Sequence, residues 1–222
     1  MTIKKGYQLV KLSNLPQTKE TLIPDDWLVK KIHEIGKIDP ETIDKKYEYS
    51  EIEYVDIGSI SDFKIKKTEK ISLKERPSRA QKKIRYDDII LSTVRPYRKS
   101  FTRIDNKIKN LVCSTGFTVI RPDDSISSKL IFYNTKTHHF NTQMIRLMQG
   151  SNYPAVSSDD IENVMIPFPK YEKEREKIVS TISNMETQIE LAEKKIYYIK
   201  KLKKGLIQKL FTKGINHKKF KK

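Results

Sequence analysis

The sequence predicts an α+β fold: one globular domain, built as a mixed sheet with helices, followed by a long coiled-coil helix. Three observations predict it. Short runs rich in β-branched and aromatic residues, at 51–60, 87–94 and 111–122, read as strands. Apolar residues at helical spacing follow them between 127 and 150. From 171 to 210 there is then no proline and one glycine, and apolar residues recur at steps of four and three.

Residues 1–22 read as a polar lead-in, and 23–169 as the folded unit. IPDDWLVKKIHEIG opens that unit. Trp27, Leu28, Ile32 and Ile35 share a side at helix-like spacing, while alternation through Leu28, Lys30 and Ile32 also permits a strand. IDPETIDKKY is turn-like. EIEYVDIGSI, DDIILSTV and LVCSTGFTVIRP supply strands, the last closed by Pro122. The basic segments KERPSRAQKKIRY (74–86) and RPYRKSFTRIDNK (95–107) read as loops. SSKLIFYNTK and FNTQMIRLMQG read as two helices, the second with Gly150 as a C-cap. SSDDIENV carries a helix-start pattern with Ser157 or Ser158 as N-cap. IPFPK (166–170) cannot continue a helix because of its two prolines, so the domain boundary falls there.

The remaining helix is expected over 170–212, with a basic, disordered tail over 213–222. Forty helical residues at ~1.5 Å each would span ~60 Å, too long for a core helix of so small a domain. The seam is Ile178, Ile182, Met185, Ile189, Ala192, Ile196 and Ile199; it lapses at Lys203 and resumes at Leu206 and Leu210. Charge along the helix is polarised. Residues 171–193 hold six acids and three bases, and 194–222 hold twelve lysines and no acid. That arrangement suits the helix dipole. It also makes the helix complementary to an antiparallel copy of itself, so the seam is expected to face a second long helix, most simply from a second copy of the chain.

The 222 residues carry a net charge of +17. Such a charge points to an anionic partner, nucleic acid first, although an AT-rich genome would also inflate the lysine number. Arginine is more informative. Eight of the nine arginines lie within 76–146, where nine spread evenly over the chain would put about three. Arginine is retained where a bidentate contact to guanine, phosphate or a carboxylate is needed. The candidate DNA contacts are therefore Arg76, Arg79, Lys82, Lys83, Arg95, Tyr97, Arg98, Lys99 and Arg103, joined by Gln143, Arg146, Ser151, Asn152 and Tyr153 around GSNYPAV. This mix can neutralise phosphates and read base edges; solvated surface loops are the bland alternative.

Little points to catalysis, and no catalytic residue is assigned. The seven glycines include no phosphate-cradling loop or dinucleotide signature. His138-His139 lacks ligands at metal spacing, so no metal is expected. Pro24-Asp25 with Asp44-Lys45-Lys46 loosely fits a nuclease arrangement, but D-x-K arises easily among 36 lysines. Cys113, the one cysteine, reads as a buried small hydrophobe and fits a reducing compartment. The start MTIKKGYQLVKL has no apolar core of a leader, and no run is long enough to span a membrane, so a cytoplasmic location is expected.

Four stretches resemble the specificity subunit of type I restriction-modification systems. IPDDWLVKKIHEIG is similar to that family's entry to a target-recognition domain, and DDIILSTV to its inner strand. GSNYPAVSSDDIENVMIPFPKYEKEREKIVSTI resembles the exit into the spacer helix, and KKGLIQKLFTKG the end of the spacer. The resemblance implies a non-catalytic subunit without a cofactor of its own. Each target-recognition domain reads half of a split double-stranded DNA sequence, and the spacer helices pair antiparallel as a ruler. Modification subunits supply methyl transfer with S-adenosylmethionine bound on them, and a restriction subunit supplies cleavage. Full-length members carry two recognition domains and two spacers, whereas this sequence holds one of each. It looks like a half-subunit that pairs with itself or with a different half, the self-pair reading an inverted repeat. The base-reading residues are not carried over by the resemblance. A structural coiled-coil adaptor is the alternative reading.

Overall fold

The computed structural model describes residues 5–14 and 20–215. In chain order its elements are β1 (Tyr7–Lys11), β2 (Glu20–Pro24), β3 (Trp27–Lys31), β4 (Gly36–Ile38), β5 (Glu51–Val55), β6 (Ile60–Ser61), β7 (Lys64–Ile65), β8 (Glu69–Ser72), β9 (Ala80–Lys83), β10 (Ile89–Ser92), β11 (Phe101–Arg103), β12 (Leu111–Ser114), β13 (Phe117–Pro122), α1 (Ser125–Thr135), α2 (His138–Leu147), α3 (Ser158–Glu162), β14 (Met165–Pro169) and α4 (Glu172–Lys213). The chain divides into two compact units at Arg175/Glu176.

In the first unit the core lies between two four-stranded sheets. One runs β11-β10-β13-β4 and is antiparallel throughout; the other runs β8-β5-β12-β9 and is mixed, because β12 pairs parallel with β5. Side-chain alternation places Val55, Leu111 and Cys113 on the inner face of the mixed sheet. There they join Ile90, Phe117 and Val119 from the other sheet in one buried cluster. Ile52, Tyr54 and Val112 point the other way and form a second cluster with Ala80. β12 and β13 are adjacent in sequence yet belong to different sheets. The chain changes sheets at Thr115-Gly116, where a side chain on Gly116 would come within 3.0 Å of Ile57 Cδ1. Cys113 is fully buried, and burial pushes its thiol pKa strongly upward.

Several details settle or depart from the sequence reading. Of the two readings of IPDDWLVKKIHEIG the strand holds: Trp27–Lys31 pairs antiparallel with Met165–Pro169, and a 3-10 turn follows at Ile32–Glu34. The strand wins because the two-proline segment 165–169, barred from a helix, offers it an extended partner. The stretch read as a polar lead-in contains β1, which pairs with β2. Within the two segments read as loops lie β9 and β11. α2 stops at Leu147, with Met148 already extended, so Gly150 is not its C-cap; its φ of +89° serves the following turn. α3 starts as expected, with Ser157 as N-cap in a reciprocal capping box with Asp160.

The second unit is the rest of α4, a continuous helix of 42 residues counted from Glu172. At ~1.5 Å per residue it is ~63 Å long. Acids occupy its first turn (Glu172, Glu174) and Lys213 its last, which favours the helix dipole. Along the seam Met185, Ile189, Ile196, Ile199, Leu206 and Leu210 are all exposed, Ile189 by 57%. Ala192 is exposed too, while Ile178 and Ile182 are half-buried. Beyond Lys213 only Gly214 and Ile215 of the basic tail are described; the remainder, 216–222, lies outside the described residues.

Candidate nucleic-acid interface

Four loops are stitched by backbone hydrogen bonds into one strip at an edge of the first unit. The Thr115 N–H donates to Arg79 O (2.8 Å), joining the 76–79 loop to the sheet-crossing turn. Gly116 O accepts from Thr93 N–H and Thr93 Oγ1, both at 2.9 Å, joining that turn to the end of β10. Val156 N–H donates to Thr93 O (2.9 Å) and Arg95 N–H to Pro154 O (2.8 Å). Gln149 and Ala155 exchange both backbone bonds and close the 149–155 loop. The strip thus runs 76–79, 115–116, 93–99, 149–156. α2 packs on the Pro96–Arg98 turn from behind, with Phe140 edge-on to Phe101 at 6.3 Å.

Two sequence-predicted segments that lie far apart in the chain meet on this strip. Tyr97, Arg98, Lys99, Ser151, Asn152 and Tyr153 are all exposed there. The Arg95 guanidinium lies over the Tyr153 ring, 5.3 Å from its centroid, a cation–π arrangement. Arg79 is exposed at the other end. The side chains of Arg79, Arg98 and Lys99 make no ion pair or hydrogen bond among the described residues. A cation without an internal partner keeps its charge available for phosphate. Arg146 is exposed at the end of α2.

Other predicted contacts are consumed inside the fold. Lys82 is only 13% exposed at its side chain; its Nζ donates to Asp39 Oδ2 and Phe117 O, both at 2.6 Å. Lys83 Nζ is 3.6 Å from Glu41. Arg103 pairs with Asp87 at 2.5 Å and lies over Tyr86. Arg76 donates to Ala80 O and Leu73 O, bracing its own loop. Gln143 is buried, its amide giving to Met165 O (2.8 Å) and taking from Met165 N–H (3.1 Å), so it holds the edge of β14 rather than a base. The arginine cluster therefore splits. Arg85, Arg103 and Arg121 serve carboxylates, and Arg79, Arg95 and Arg98 face outward on the strip.

The carboxylate network is centred on Arg121. Its Nε and Nη2 grip buried Asp88 bidentately at 2.9 and 2.8 Å, and Nη1 reaches Glu41 at 2.9 Å. Burial disfavours the Arg121 charge, but both acids outweigh it and raise the pKa. Burial likewise works against charged Glu41. The Arg85 hydrogen bond and the charges of Arg121, Arg85 and Lys83 prevail and lower its pKa.

Sequence reasoning missed Asp39. In a left-handed turn (φ 44°), it accepts from Val119 N–H, Lys82 Nζ and Ser158 Oγ, at 2.8, 2.6 and 2.7 Å. It ties both sheets to the start of α3, where the 149–156 loop ends. No pattern in the sequence marks an aspartate for such a role; only the Asp39-Pro40 turn signal is visible. Among the described residues no group of three or more His, Cys, Asp or Glu is placed to hold a metal. Asp44 accepts from Lys46 N–H in a local turn at 2.9 Å. His138 and His139 begin α2, and burial lowers the pKa of His139. No helix of the described residues is long and apolar enough to cross a membrane.

Comparison with known proteins gives a consistent picture. The family described as "Type I restriction modification DNA specificity domain" matches residues 24–201. The type I restriction enzyme HindI specificity subunit of Haemophilus influenzae is 27% identical over 174 residues, covering 75% of this chain and 36% of that protein. The putative MjaX specificity subunit of Methanocaldococcus jannaschii is 26% identical over 97% of this chain and 52% of its own length. The crystal structure of the HsdS subunit from Thermoanaerobacter tengcongensis superposes with a TM-score of 0.65 at 27% identity, over 90% of this chain and 52% of that one. A chain solved in work on complex assembly and conformational transition of the type I R-M system superposes with a TM-score of 0.67 at 28% identity, with the same coverage. The chain spans about a third to a half of the length of the relatives it matches.

Proposed function

The chain belongs to the type I restriction-modification DNA specificity family, and on that ground we propose that its first unit reads one half of a bipartite double-stranded DNA target. That family is one of non-catalytic specificity subunits that carry no cofactor themselves. The observation that supports the site is the stitched strip. It gathers exposed Arg79, Arg98 and Lys99 and half-buried Arg95 with Ser151, Asn152 and Tyr153 on loops braced by the two-sheet core. Cations without internal partners neutralise phosphates, and the polar and aromatic groups beside them read base edges.

The exposed seam of α4 supports the second half of the proposal. Its acidic first half and basic second half complement an antiparallel copy, whereas a parallel pair would stack like on like. Two copies, or this chain and another half of the same design, pair through Ile182, Ile189 and Ile196, and the paired helices fix the gap between half-sites. Modification subunits, carrying S-adenosylmethionine, dock on this assembly in the cytoplasm and perform methyl transfer, and a restriction subunit joins for cleavage.

The test is selection from a random duplex library with the purified chain and its modification subunit. Enrichment of an inverted repeat with a fixed gap is expected. Enrichment of nothing would instead favour a coiled-coil adaptor whose globular unit binds protein.

A further inference from the structure

Arg95 adopts a left-handed backbone conformation (φ 49°, ψ 55°) immediately before Pro96. Two penalties fall on one residue. A side chain with a Cβ disfavours that region, and a following proline drives its predecessor toward extended backbone. Lys99, at the other end of the same turn, is left-handed as well (φ 55°, ψ 37°). Glycine would remove the strain at either place, yet both places keep a long cation. The strain is held by surrounding bonds: Arg95 N–H to Pro154 O at 2.8 Å, Arg98 N–H to Arg95 O and Lys99 N–H to Pro96 O, both at 2.9 Å. Strain over-determined in this way concentrates at functional positions.

The strained backbone places the guanidinium over the Tyr153 ring, and Tyr153 is 73% exposed. At 5.3 Å from the centroid the guanidinium is within cation–π reach of the ring. The Arg95 side chain has no hydrogen bond or ion pair among the described residues. A planar fork of donors held beside an exposed ring matches two acceptors lying in one plane. Guanine offers that pair in the major groove, at O6 and N7. A phosphate can take the same fork bidentately, but it carries no sequence information, so base substitution tells the two apart.

We infer that Arg95, held beside Tyr153, reads one guanine in the major groove of the half-site. The inference rests on the DNA-recognition reading above. Tyr153 is a positioning residue, and lysine cannot replace Arg95 because it has no planar fork.

The experiment runs the library selection with the full chain and with Arg95→Lys, Tyr153→Ala and Tyr153→Phe. Each enriched guanine is then replaced in turn by 7-deazaguanine, which removes the N7 acceptor. At one G·C pair the replacement should weaken the unaltered chain by roughly 10-fold or more. Arg95→Lys and Tyr153→Ala should relax preference at that pair alone, and Tyr153→Phe should retain it. The 7-deazaguanine arm uses the unaltered protein, so it holds even where a variant folds poorly. Uniform weakening on all sequences would make Arg95 a phosphate contact and overturn the inference, as would insensitivity of every enriched guanine. If the unaltered chain enriches no sequence, it is the DNA-recognition reading that fails.

Discussion

Replacing Asp88 by alanine is expected to destabilise the first unit severely, without Asp88 ever approaching DNA. Asp88 is 1% exposed and accepts three hydrogen bonds: Arg121 Nε at 2.9 Å, Arg121 Nη2 at 2.8 Å and the Arg85 N–H at 2.8 Å. Its removal leaves a guanidinium whose side chain is only 18% exposed. Removing one partner of a buried ion pair costs about 3–5 kcal/mol. Glu41 stays 2.9 Å from Arg121 Nη1 and still offsets part of the charge. The lower end, about 3 kcal/mol, is therefore expected. For a unit of this size each kcal/mol lowers Tm by about 2–4 °C, so Tm should fall by about 6–12 °C. Thermal and urea unfolding followed by circular dichroism would measure it. Adding Arg121→Met to Asp88→Ala should restore part of the loss, because the stranded charge goes with it. A Tm within about 2 °C of the parent, well below that range, would refute the reasoning. So would an Arg121→Met variant that keeps its stability and loses DNA selectivity.

Gln143→Ala should cost about 1–3 kcal/mol in urea unfolding, since both polar groups of Met165 lose their partner, while the enriched sequence stays the same. Arg79→Ala and Arg98→Ala should change stability by no more than about 0.5 kcal/mol. In salt titrations of DNA binding each should reduce the slope of log affinity against log salt by about 1. Ile182→Asp combined with Ile189→Asp should give monomers by sedimentation and reduce selection to a single half-site. Glu41 titrates below its usual range when folded, so its contribution is present above the unfolded value of about 4.3 and fades as pH falls through the lower folded value. Glu41→Gln should therefore flatten the acid limb of a stability profile measured from pH 3 to 7.

The long helix and the buried strands were legible because their patterns are local. Heptad spacing without proline fixed α4, and continuous apolar runs fixed Ile89–Ser92 and Leu111–Ser114. Ala80–Lys83 was not legible. Only Ala80 of AQKK is apolar, and the strand forms by pairing with β12, while Lys82 and Lys83 reach Asp39 and Glu41. The arginine cluster overlaps the strip proposed to meet DNA, but composition cannot separate Arg98, which faces solvent, from Arg121, which grips Asp88. That division depends on Glu41, Asp87 and Asp88, whose approach is set by tertiary pairing. The meeting of 93–99 with 149–156 depends likewise on backbone bonds, Arg95 to Pro154 and Val156 to Thr93, between residues far apart in the chain, and no periodicity reports them.

Amide hydrogen exchange of the full chain, with and without its enriched duplex, tests most directly which surface meets DNA. Slower exchange is predicted at 76–79, 93–99 and 149–156, with no change across 80–88, where Lys82, Lys83 and Arg85 are spent on Asp39 and Glu41. Protection confined to 80–88, with the strip unchanged, would contradict the account.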